Sequence, residues 1–211
     1  DGTGASYYDT HLIKFNILTN NQVPKTVNVD MVRSITRDSL DNIWIGTSGK
    51  GLTVINFKKN TYKTYTTNNT ALASNRIISL NVIENSLWIG HQGYGLNIMD
   101  YPTGQYRFYS EMDNFTIWRI VKTSKNQAWL CTERNGIILF DKNKGIINQY
   151  NSENSLLTSN NIRALATDDN NDIWIGTDDK GLFKLDKQTN RIKKIDLISD
   201  KIKSLYYNDD I

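Results

Sequence analysis

Ile43-Trp44-Ile45-Gly46-Thr47 recurs as Leu87-Trp88-Ile89-Gly90-His91, as Ala128-Trp129-Leu130-Cys131-Thr132 and as Ile173-Trp174-Ile175-Gly176-Thr177. Successive tryptophans stand 44, 41 and 45 positions apart, which is about the length of one propeller blade. Shortly after each anchor a glycine restarts an apolar alternation: Gly51-Leu52-Thr53-Val54-Ile55, Gly95-Leu96-Asn97-Ile98-Met99, Gly136-Ile137-Ile138-Leu139-Phe140 and Gly181-Leu182-Phe183-Lys184-Leu185. Short alternating runs between turn signals read as strands.

A polar turn, such as Lys58-Lys59-Asn60 or Lys187-Gln188-Thr189-Asn190, leads in each unit to a half-solvated run such as Tyr62-Lys63-Thr64-Tyr65 or Arg191-Ile192-Lys193-Lys194-Ile195, an outer strand. Ahead of the Trp strands lie Val32-Arg33-Ser34-Ile35, Ile77-Ile78-Ser79-Leu80, Ile117-Trp118-Arg119-Ile120 and Ile162-Arg163-Ala164-Leu165, with a fifth copy at Ile202-Lys203-Ser204-Leu205. A small residue usually holds their third position, which suits the crowded innermost strand of a radial sheet. Four strands per unit at this period predict an all-β chain, a β-propeller segment of four-stranded blades.

With the strands lettered A to D from the axis outward, Gly4-Ala5-Ser6-Tyr7-Tyr8-Asp9 matches strand C and the last residues match strand A. The expected organisation is a partial blade over 1–18, complete blades over about 32–66, 77–109, 117–150 and 162–197, and a partial blade over 202–211. Four complete blades and two partial ones imply a segment of a longer ring with exposed blade edges. Helical repeats would show a 3.6-residue period and leucine-rich repeats would be shorter. No helix of any length is expected.

Of the 211 residues, 38% are hydrophobic and 22% charged, within the soluble globular range. A net charge of +3 implies neither nucleic acid nor an anionic membrane as partner. No apolar run approaches the roughly 20 residues of a membrane span, and Asp1-Gly2-Thr3-Gly4 lacks the features of a signal peptide. Membrane attachment is therefore expected only through flanking regions. The single cysteine, Cys131, excludes an internal disulfide and a multi-thiolate metal site. Neither of the two histidines, His11 and His91, shows a nucleophile and base set around it, and HExxH, GxSxG and Cys-His arrays are missing. No catalytic residue, metal or cofactor is expected. Gly46-Thr47-Ser48-Gly49-Lys50-Gly51 lacks the Ser/Thr and the helix of a phosphate loop. Asp168, Asn170 and Asp172 have calcium-loop spacing, but Ile173 stands where glycine is required, so Asx turns explain them better.

The composite pattern runs from an Asn-x-Ile element through Asp and Asn turn residues to Leu/Ile-Trp-Ile-Gly-Thr and Gly-Leu-x-x-x-Asp. It resembles the two-component regulator propeller repeat, most literally from Ser159-Asn160-Asn161-Ile162 to Asp186 and from Ser74-Asn75-Arg76-Ile77 to Asp100. The resemblance covers essentially the whole chain. It implies a seven-bladed ring in the periplasmic part of a hybrid sensor histidine kinase, an oligosaccharide as ligand and a homodimeric receptor. The sequence departs from the pattern at Trp-Leu-Cys-Thr in the third motif, at His91 in the second, and at Asn114-Phe115-Thr116, where the Ser-Asn lead is missing. Blades around residues 88 to 136 are thus expected to be specialised.

Trp44, Trp88, Trp129 and Trp174 read as scaffold packed between blades. Equivalent positions in successive blades form a ring around the axis, and position two of strand A supplies Arg33, Ile78, Trp118, Arg163 and Lys203. Three cations and a tryptophan suit an anionic or sugar ligand through charge-assisted hydrogen bonds and stacking. The alternative is that each cation pairs with a nearby Asp such as Asp38 or Asp168. The D-to-A and B-to-C loops share one face, which carries Lys50, His91, Gln92, Tyr94, Glu133, Arg134, Asp178 and Asp179 beside Asp30, Asn75, Asn160 and Asp200. Tyr94, Trp118 and Arg134 depart furthest from their repeat equivalents, which marks them as candidate contacts. A sensor is the leading expectation, against an interaction scaffold that mediates dimerisation and a propeller lyase or hydrolase.

Overall fold

The computed structural model describes residues 18–208. The expected N-terminal partial blade and His11 lie outside the described residues. Sixteen strands form four antiparallel sheets, each with its strands in sequence order. The first blade comprises β1 (Val32–Arg37), β2 (Ile43–Thr47), β3 (Leu52–Asn56) and β4 (Thr61–Tyr65). In the second are β5 (Ile77–Ile83), β6 (Ser86–His91), β7 (Leu96–Asp100) and β8 (Gln105–Phe108). The third holds β9 (Ile117–Lys122), β10 (Gln127–Thr132), β11 (Ile137–Asp141) and β12 (Gly145–Tyr150). The fourth holds β13 (Ile162–Thr167), β14 (Ile173–Thr177), β15 (Leu182–Asp186) and β16 (Arg191–Ile195). Two short 3-10 turns, Asn20–Gln22 and Ser110–Met112, are the helical elements among the described residues.

The first strands of successive blades adjoin, which makes them the innermost strands of a radial array. Polar side chains cross this boundary: Ser79 Oγ donates to the Ile117 carbonyl at 2.7 Å and Asn81 Nδ2 to the Ile120 carbonyl at 2.9 Å. The apolar core is a stack of layers between blades rather than one centre. Trp44 packs with Leu87, Ile89 and Met99 of the next blade, Trp88 with Leu130, Ile138 and Phe140, and Trp129 with Ile175, Phe183 and Leu185. Each layer removes two sheet faces from water at once, so a blade is stabilised chiefly by its neighbours.

The glycine of the Trp motif is required by this closeness. A Cβ on Gly46 would come within 2.6 Å of Ile77 Cγ2, and one on Gly176 within 2.6 Å of Ile202 Cγ2. In the third blade Cys131 takes this place, and β9 and β13 adjoin less extensively than the other inner pairs. The Gly176 contact also shows where the chain goes after the fourth blade. Ile202 lies against that blade as Ile77 lies against the first, with its N–H donating to the Thr177 carbonyl at 2.8 Å. The expected fifth A strand over Ile202–Leu205 nevertheless is not a strand.

Candidate ligand-binding site at the propeller axis

Every inner strand carries a β-bulge at the same place. Val32 pairs with Thr47 and Ser34 with Gly46, which leaves Arg33 unpaired. The pairing of Ile77 with His91 and of Ser79 with Gly90 does the same to Ile78, and the register slips likewise at Trp118 and at Arg163. A bulged residue leaves the ladder and its side chain is re-aimed. Position two of strand A, singled out as a ring, is therefore the bulge position of the fold.

The ring members differ in exposure. Arg33 is exposed, Ile78 buried, Trp118 and Arg163 half-buried, and the Lys203 side chain is 64% exposed. Neighbouring members touch: the Arg163 guanidinium lies 3.7 Å from the centroid of the Trp118 ring. Arg163 Nη2 stands 3.4 Å from Asp178 Oδ2, and Lys203 pairs with the other oxygen of Asp178. Lys203 holds the Asp178 carboxyl below the usual carboxylate range, against the effect of burial and with help from Arg163. The structure thus brings Trp118, Arg163 and Lys203 together around an acid in the loop after β14.

Arg163 and Lys203 do pair with an Asp, as the alternative reading of the ring expects, but it is Asp178, and neither Asp38 nor Asp168 pairs with a ring cation. Asp38 accepts from the Leu40 and Asn42 amides and from the Trp44 indole. Asp168 does the same for Asn170, Asp172 and Trp174, and Lys184 bridges Asp168 and Asp172 at 3.0 and 2.9 Å. These carboxylates are committed to Asx turns and to the tryptophan. Arg163 covers one face of the Trp118 ring, which leaves the other as the face on which a sugar could stack.

His91 is the clearest departure. Expected on the loop face, it is fully buried. It occupies the site where Thr47, Thr132 and Thr177 donate through Oγ1 to the carbonyls of Gly51, Gly136 and Gly181. In its place, His91 Nε2 lies 2.9 Å from Asn97 Oδ1. Burial lowers its pKa to about 4, so it is a neutral scaffold group at neutral pH.

Tyr94 and Arg134 sit exposed on the B-to-C turns of the second and third blades. Those turns are fastened to the lead into the next blade, by Gly95 N–H to the Phe115 carbonyl at 2.8 Å and Gly136 N–H to the Asn160 carbonyl at 3.1 Å. The two loop sets accordingly share a face, on which Tyr94 and Arg134 occupy successive blades. On the opposite side a cleft of about 460 Å³ opens between the second and third blades, lined by Asp100, Arg107, Tyr109 and Lys142. Arg107 and Tyr109 both donate to the Lys142 carbonyl, at 2.9 and 2.7 Å, so these two groups serve the blade contact.

Asn161 was missing from the sequence-derived candidates, and Asp178, though placed on the loop face, was not singled out as the partner of the ring cations. Their signal was present: Asp178 directly follows Trp-Ile-Gly-Thr in the unit whose bulge residue is Arg163, at the place held by Ser48, Gln92 and Glu133 elsewhere. No cluster of His, Cys, Asp and Glu among the described residues could hold a metal ion.

Bulged inner strands, layered Trp motifs and loop-to-blade fastenings define four blades of a β-propeller. Residues 26–49 and 156–179 match the family model described as two component regulator propeller. The extracellular domain of a hybrid two component system from B. thetaiotaomicron is similar with a TM-score of 0.66 at 19% identity, over 80% of this chain and 24% of that one. That of a one component system from the same organism gives 0.71 at 23% identity, over 84% and 27%. An ancestral GH74 enzyme gives 0.64 at 16% identity, over 81% and 24%. These likenesses are of fold. The chain spans about a quarter of the length of these solved proteins. No curated protein matches it.

Proposed function

We propose that the chain is part of an extracytoplasmic, periplasmic sensor propeller of a hybrid two-component system. In this reading it binds an oligosaccharide on the face that carries the B-to-C turns and the axial ring, within a larger ring of seven blades. The observation that supports the reading best is the bulge, which sends Arg33, Ile78, Trp118 and Arg163 out of the sheet at equivalent points around one axis. A scaffold that needed only to stand between other domains has no use for differing side chains at four equivalent unpaired positions. The two-component regulator propeller repeats add the signalling context. A non-enzymatic role fits the burial of His91, which removes it from acid-base work at the surface. Ligand binding would reach a kinase through the geometry of a homodimer, to the extent that the ligand favours one arrangement over another.

Calorimetric titration against a panel of neutral and acidic oligosaccharides tests the proposal, with Tyr94→Ala alongside. Tyr94 is half exposed and outside the packed layers, so its truncation leaves the fold intact. Binding that weakens in the variant is the expected result. A folded protein that binds no member of the panel would overturn the reading and favour a scaffold for dimerisation.

A further inference from the structure

The bulge that frees Arg163 also sets its guanidinium over the Trp118 ring, 3.7 Å from the centroid, which leaves the edge of the group for recognition. Along that edge Nη2 meets Asp178 Oδ2 at 3.4 Å, long for a charge-assisted bond, and Nε is enclosed with no acceptor. An enclosed donor on a cation without an acceptor is costly. Asn161 Nδ2 stands 3.5 Å from the same carboxylate oxygen, Asn161 Oδ1 has no partner, and the indole N–H of Trp118 has no acceptor either. Asp178 therefore occupies the anion position of the guanidinium without filling it. Lys203, which holds its second oxygen, lies on a stretch that makes no strand ladder.

A guanidinium presents Nε and Nη2 as parallel donors matched to the two oxygens of a planar carboxylate. Building on the sensor reading above, we propose that this edge of Arg163 is the subsite for the carboxylate of an acidic sugar, and that Asp178 is a resident counter-ion which the ligand displaces. Trp118 then braces the guanidinium instead of stacking on the sugar, and Lys203 adds charge to the incoming group. Displacement has a mechanical side. Asp178 ties the loop after β14 both to β13, through Arg163, and to the segment after the fourth blade, through Lys203, so its release loosens one blade boundary.

The test is calorimetric titration of the full chain with a uronic-acid disaccharide, with its neutral analogue in which the carboxyl is reduced to the alcohol, and with acetate. Arg163→Lys keeps the charge and removes the fork, and should weaken the acidic disaccharide by at least about tenfold while leaving the neutral analogue unchanged. Asp178→Asn removes the competing anion, and should tighten the acidic disaccharide severalfold. Equal binding of the acidic disaccharide by the parent chain and Arg163→Lys would overturn the subsite, as would its failure to bind folded Asp178→Asn. Acetate binding as tightly as the disaccharide would overturn the assignment to a sugar. A neutral oligosaccharide that binds while the acidic one ignores both variants leaves the sensor reading standing without this subsite. Failure of every glycan removes both.

Discussion

The indole N–H of Trp44 donates to Asp38 Oδ2 at 2.8 Å, and that of Trp174 to Asp168 Oδ2 at 2.9 Å. Each bond ties the second strand of a blade to the turn that follows the first. In the second blade the register puts Ile83 at the equivalent of Asp38, and the Trp88 indole N–H is enclosed without a partner. That tryptophan is held by shape instead, edge to face on Phe140 at 6.0 Å.

Asp38→Ala should destabilise the chain by about 3 kcal/mol, because several donors to one buried carboxylate lose their acceptor together. Asp38→Asn retains one acceptor and should cost less. Urea denaturation followed by tryptophan fluorescence checks this, with the midpoint shifting at constant slope.

The Asp168 and Lys184 pair makes stability depend on pH at both ends. Burial opposes ionisation of Asp168, but Lys184 and the Trp174 indole outweigh it and hold the carboxyl below its ordinary value. A lowered folded pKa means the contribution is complete above the unfolded value of about 4 and is lost as pH falls through the folded one. Asp172 and then Asp168 raise the Lys184 pKa, so its contribution is complete below about pH 10.4 and lost as pH rises through the folded value. Lys184→Met should flatten both limbs of a plot of unfolding free energy against pH.

His91 should stay largely neutral in a proton NMR titration from pH 8 down to pH 5, with no more than about a tenth protonated at the acid end. Its folded pKa of about 4 lies below the unfolded value of about 6.5, so the unfolded chain binds the proton first and stability falls as pH drops below about 6.5. The loss is complete below the folded value and amounts to roughly 3 kcal/mol at about 1.36 kcal/mol per pKa unit. His91→Thr, which restores the residue found in the other blades, should remove that acid limb.

Gly46→Ala should cost on the order of 1–3 kcal/mol through overpacking, because its Cβ would meet Ile77 across the blade boundary. Gly49→Ala tests a different strain, since no atom lies within 4 Å of the added Cβ and only the backbone, at φ +110, resists. Thermal unfolding of both separates crowding between blades from backbone strain within one turn.

Much of the scaffold was legible because it is periodic. The strands around Trp44, Trp88, Trp129 and Trp174 announce themselves by alternation, and Gly46 and Gly176 mark the close approaches. The axial site was legible only in part. A bulge adds one residue to a strand without changing its composition, so the unpaired status of Arg33, Ile78, Trp118 and Arg163 could be suspected from symmetry but not read from alternation. Charge partners were harder still: Asp38 and Asp168 stand closer in sequence to Arg33 and Arg163 than Asp178 does, and only the hydrogen-bonding demand of the turns and tryptophans shows that they are spent. His91 misled because it stands in a motif next to a loop, where the neighbouring threonines disclose a buried slot only once their bonds are seen.

The bulge has one more consequence. A residue outside the ladder contributes no pairing energy to the sheet, so it can be exchanged without redesigning the blade that carries it. Arginine, isoleucine, tryptophan and arginine already occupy this place on four nearly interchangeable frames. Descendants of such a chain can alter what lines the axis by single substitutions that leave the strand ladder intact, and change the axial surface without changing architecture.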